Sequence, residues 1–136
     1  MKTKYKQVDA ESFENQLGTR ALDKKVVTFV IADAQIQKSM KLPFPFIGEI
    51  TRIDILIGTE SSAGTTKLNV IKVSNDIETI VNNTLIEIPP STKLIQNIAL
   101  NIENVNLNAY DVLYINITEE ATIRPGNITI SIEIEI

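Results

Sequence analysis

The last ten residues alternate strictly: Ile128, Ile130, Ile132, Ile134 and Ile136 take every second position, with Thr129, Ser131, Glu133 and Glu135 between them. A side-chain period of two belongs to an extended strand with one dry face and one wet face. Isoleucine is stiff at χ1 and packs well on a pleated surface, so local preference and burial pattern agree. The same grammar recurs upstream. Val26, Val27, Phe29, Val30 and Ile31 form a dense run, continued at alternating positions by Ala34, Ile36 and Met40. Ile53, Ile55 and Ile57 alternate with Arg52, Asp54 and Leu56, and Leu68 and Val70 follow in the next segment. Leu113, Ile115 and Ile117 oppose Tyr114 and Asn116, with the reverse assignment through Val112 also open. Leu94, Ile95, Ile98 and Ile102 fit one helical face as well as they fit a strand.

Punctuation separates these runs. In Leu42-Pro43-Phe44-Pro45-Phe46 each proline pushes its predecessor into extended backbone and lacks an amide donor, which places the segment at an edge or a strand start. Gly58 to Thr66 reads as a polar loop, Asn75-Asp76 and Asn82-Asn83 as turn pairs, and Arg124-Pro125-Gly126 as a turn into the last strand. Leu85 to Ile88 is a short strand stopped by Pro89-Pro90. About eight short strands joined by polar turns predict an all-β domain, an antiparallel two-sheet sandwich of jelly-roll type.

The first 24 residues differ. Asp9 is a suitable cap for a short helix to Leu17, with Phe13 and Leu17 on one face and Gly18 as its stop. A helix of about eight residues does not persist alone in water. Residues 1–24 therefore read as an arm that either docks on a partner or remains mobile, and residues 25–136 as the sandwich. The arm's candidate anchoring residues are Lys2, Lys4, Tyr5, Lys6, Phe13 and Leu17.

Composition narrows the chemistry. The 136 residues have 17 acidic against 13 basic side chains, a net charge of -4 that disfavours a phosphate-binding surface and makes nucleic acid an unexpected partner. There is no apolar run of membrane-spanning length, and Gln7, Asp9, Glu11 and Glu14 stand where a signal peptide would be apolar. With no His and no Cys, imidazole bases, thiol nucleophiles and thiolate metal sites are excluded. Asp33, Asp54, Asp76 and Asp111 are isolated rather than grouped in a calcium loop. Carboxylates remain plentiful, but Glu133 and Glu135 lie on a wet strand face, so no enzyme, cofactor or metal is expected. A sugar-binding module is the rival reading, for which Tyr110 and Tyr114 are the candidate stacking platform. Leu42, Phe44 and Phe46 either fill one end of the sandwich or form a subunit contact.

A family resemblance enters at the proline-rich segment. Lys41-Leu42-Pro43-Phe44-Pro45-Phe46-Ile47-Gly48-Glu49-Ile50, then Ile57-Gly58-Thr59, then Gly64-Thr65-Thr66-Lys67-Leu68-Asn69-Val70, resembles the small β-sandwich modules of tailed-bacteriophage virion proteins. Asp111 to Ile117 and Pro125 to Ile130 take the place of the closing strands. The likeness covers residues 25–136 and consists of turn and core residues. Two departures stand out: Tyr110 occupies a position where glycine is expected, and the arm has no counterpart. The resemblance implies a virion structural role as capsid decoration, head fibre or tail adhesin. It further implies a homo-oligomer, with a trimer favoured, that contacts capsid or portal-region proteins after assembly in the bacterial cytoplasm.

Overall fold

The alternating isoleucines of the C-terminal segment form the central strand of one sheet. In the structure, a computed structural model that describes residues 23–136, Ile128, Ile130, Ile132 and Ile134 are all buried, whereas the residues between them face solvent. The strands are β1 (Lys24–Asp33), β2 (Gln37–Lys38), β3 (Leu42–Phe44), β4 (Gly48–Thr59), β5 (Thr66–Ser74) and β6 (Ile77–Ile80). They continue with β7 (Ile86–Ile88), β8 (Leu94–Ile95), β9 (Asn106–Leu107), β10 (Asp111–Glu119) and β11 (Gly126–Glu135). No helix occurs among the described residues.

The pairing makes this a jelly roll. The short pairs β2/β3, β6/β7 and β8/β9 each lie along one long neighbour, so each pair behaves as a single interrupted strand. Counted that way there are eight strands. The first pairs with the eighth, the second with the seventh, the third with the sixth and the fourth with the fifth, all antiparallel. Such nested pairing is a long hairpin rolled up on itself, and it yields two sheets that share one core. In one sheet the order is β1-β11-β4 with β8 and β9 beyond; in the other, β2 and β3 precede β10-β5, with β6 and β7 beyond.

One irregularity explains an apparent break in the period. Ile50 and Ile53 are three residues apart, yet both are buried. The register between β11 and β4 slips between Glu133 and Ile134, which leaves Thr51 as an extra residue on β4. This bulge resets the alternation, so Ile50, Ile53, Ile55 and Ile57 all reach the core. The bulged Thr51 hydroxyl donates to the Glu133 carboxylate at 2.8 Å.

Turns follow the local chemistry. Asn75 and Asp76 both have positive φ, 51° and 64°, the primed hairpin geometry that Asn and Asp tolerate, and they join β5 directly to β6. Gly64 has φ +88°, and a Cβ there would meet the backbone nitrogen of Thr122. That close approach brings the loop before β5 against the loop before β11, where Ala63 bridges Ile123.

Three expectations are revised. Ile36 and Met40 are exposed, because the chain leaves β1 at Asp33 and turns toward the other sheet, where Ser39 exchanges hydrogen bonds with Ile115. The segment from Leu94 to Ile102 is neither helix nor continuous strand: only Leu94 and Ile95 form a strand, and the chain then crosses to the edge of the other sheet. On β10, Leu113, Ile115 and Ile117 face the core, which closes the alternative through Val112.

Candidate interaction surface

A strand at a sheet edge shows an unpaired row of backbone donors and acceptors, so the edges are the first place to look for contacts. Three of the four edges are broken into pieces. β2 and β3, β6 and β7, and β8 and β9 are two to four residues long, and β3 carries Pro43. The fourth edge, β1, is ten residues long and holds one register against β11 without a bulge. Among the described residues nothing pairs with its other side.

The side chains of β1 sharpen the contrast. Val27, Phe29 and Ile31 turn inward, whereas Val26, Thr28 and Val30 point outward and are exposed, Val30 at 72%. Beside the strand lies a groove of ≈ 340 Å³ lined by Thr28, Phe29, Val30, Ser39, Met40 and Leu42. Met40 is 76% exposed at its rim. Charges sit only at the strand's ends: Lys24 and Lys25 at one, Asp33 at the other. Asp33 accepts two hydrogen bonds from Arg124, at 2.7 and 3.0 Å. These bonds hold the Asp33 carboxyl below its ordinary pKa and raise that of Arg124. The opposite flank of the sandwich is sealed by backbone bonds between residues 81–83 and 99–101.

The residues singled out from sequence are not brought together. Phe44 is buried and packs edge-on against Phe46, ring centroids 5.6 Å apart. Leu42 is partly buried against the core, so of this trio only Phe46, 45% exposed and with Lys25 Nζ 5.8 Å from its ring centre, is an open aromatic surface. Phe44 fills the sandwich because its side of β3 faces the core, the first of the two places that the sequence leaves open for this trio. Lys2, Lys4, Tyr5, Lys6, Phe13 and Leu17 lie outside the described residues.

Tyr114 offers no stacking face. It is 1% exposed, covered on the outer face of its sheet by Lys41, whose Nζ lies 5.3 Å from the ring centre, and its hydroxyl donates to Glu78 at 2.9 Å. Burial first, then the Glu78 hydrogen bond and charge, push the phenol's pKa up. No ring face is left for a sugar. Tyr110 is 71% exposed and stands alone in the turn before β10.

Its backbone lies in the region that glycine adopts most readily. Tyr110 has φ +68°, the left-handed region that costs a non-glycine residue about 1–2 kcal/mol, while its amide donates to the Phe44 carbonyl. Tyr110→Gly is expected to relieve that strain against the entropy of a freer unfolded chain, raising stability by about 1 kcal/mol. A urea midpoint equal to or below the parent's would show the turn is not strained.

Buried Asp111 accepts from the Asn108 amide at 2.8 Å and so closes the same turn. No cluster of three or more acidic side chains suited to a metal ion occurs among the described residues. The surface combines a strand edge that no described residue pairs with, apolar side chains beside it and charge at its ends. No protein-family profile and no curated protein matches the chain.

Proposed function

We propose that this chain is a non-catalytic structural subunit of a tailed-phage virion, a capsid decoration or head-fibre protein that works in several copies. Residues 1–24 anchor it to capsid or portal-region proteins, and the jelly roll faces outward. The observation that carries this reading is the long β1 edge, bare among the described residues, with its apolar groove, a surface suited to another polypeptide rather than to a small substrate. The resemblance of residues 41–50, 57–59, 64–70 and 111–117 to virion sandwich modules supports it. The sugar-binding alternative loses half of its platform with the burial of Tyr114.

The test is co-sedimentation with phage particles that lack this protein. The full chain is expected to bind. A chain beginning at Asp23, which keeps β1 whole, is expected to bind at least tenfold more weakly. Equal binding by both chains removes the anchoring role. If Tyr110→Ala then abolishes binding to a saccharide array, the adhesin reading replaces the decoration reading.

A further inference from the structure

We propose that the edge of β1, which no described residue pairs with, is occupied by the β1 of a second copy of this chain, running antiparallel about a two-fold axis through Thr28. The inference deepens the multi-copy reading above by naming the partner of the exposed edge.

The first argument is that β1 carries no protection within its own sequence. Monomeric sheets blunt their edges with short strands, proline, bulges or a charge in mid-strand. The β2/β3, β6/β7 and β8/β9 edges use the first of these, and β3 adds the second. β1 uses none: it is ten residues long, regular and free of proline, and from Val26 to Ala32 it carries no charge.

The second argument is self-complementarity. Residues directly opposed in an antiparallel pair point to the same face. Two copies of β1 can therefore pair inner face to inner face only if the opposed residue numbers sum to an even value. Centring the pair on Thr28 opposes Val26 with Val30 of the second copy, Thr28 with Thr28, and Val30 with Val26. The two exposed valines meet β-branched partners, and the hydroxyls meet each other, both favourable cross-strand pairs. The inner face opposes Val27 with Phe29. At each end Lys25 of one copy lies diagonal to Asp33 of the other, so the charges attract.

The groove argues the same way. A two-fold axis at Thr28 sets the wall formed by Ser39, Met40 and Leu42 of one copy facing the same wall of the other, which covers Met40. The joined sheets run β4-β11-β1-β1-β11-β4 without an open edge between them. An isologous contact of this kind closes as a dimer, unlike the heterologous contact of a three-fold ring.

The experiment uses the full chain. Sedimentation is expected to give a species of twice the 15.1 kDa chain mass. Val30→Lys, at an exposed position that leaves folding intact, is expected to weaken the dimer at least tenfold, with an unchanged circular dichroism spectrum. Because the chain has no cysteine, single thiols report the register directly. Thr28→Cys is expected to cross-link to itself. Val26→Cys and Val30→Cys are expected to cross-link when mixed but poorly alone, since like positions are then four residues, about 13 Å, out of step. A monomer at high concentration overturns the proposal. A dimer in which Thr28→Cys fails to cross-link overturns it equally. Neither outcome depends on phage particles, so failure here is distinct from failure of the particle-binding test.

Discussion

Ile132→Ala is expected to lower unfolding free energy by about 4 kcal/mol, read from the urea midpoint at unchanged slope. Ile132 is fully buried in the centre of β11, with Val27 of β1 on one side and Ile53 of β4 on the other. Truncation removes apolar area and leaves a cavity that three hydrogen-bonded strands cannot collapse to fill. Its neighbour Ser131 faces the other way, paired with Thr28 and Asp54, and Ser131→Ala is expected to change stability by less than about 0.5 kcal/mol. Comparable effects at the two sites would mean that the alternation does not separate core from surface.

Asn82→Ala is expected to cost about 3 kcal/mol, for a different reason. The edge of β5 is paired by β7 at Thr66 to Leu68 and by β6 from Ile71 to Ser74, which leaves a gap at Asn69 and Val70. Buried Asn82 fills it. Its Oδ1 accepts the Val70 amide at 2.8 Å, and its Nδ2 donates to Asn69 Oδ1 at 2.8 Å and to the Thr84 carbonyl at 2.7 Å. The side chain thus substitutes for a missing stretch of strand, and alanine would leave the Val70 amide buried without an acceptor. Exposed Asn83, with Asn83→Ala expected to be nearly neutral, is the control. If chemical denaturation finds the two substitutions equivalent, the bonds made by Asn82 contribute nothing net.

The neighbouring pair Asn82-Asn83 shows why this residue was hidden. Both are turn formers, and the chain does turn there; nothing local distinguishes the one that is buried. The distinction arises because β6 ends at Ile80 and β7 starts at Ile86, both on β5, a strand at least eight residues away in sequence from Asn82. The same limit applies to the candidate site. Leu42, Phe44 and Phe46 were marked by proline and aromatic content, but which ring points inward depends on how β3 lies on β10. The positive φ of Tyr110 arises in the turn before β10, and its residue type does not announce it. β1 was legible as a strand but not as an edge, since its own residues do not reveal what lies beside it.

Where one strand's own side chains set its environment, the amino-acid order was sufficient. Alternation in β4, β10 and β11 and the turn at Asn75-Asp76 follow from period two and turn chemistry, which act over a few residues. Which strands became edges, where Thr51 bulges, which asparagine is buried and which tyrosine is covered were settled only by the nested pairing of strands as far apart as Lys24 and Glu135. The physical reason is range: backbone preference and amphipathic patterning are local, whereas exposure is a property of what packs from elsewhere in the chain.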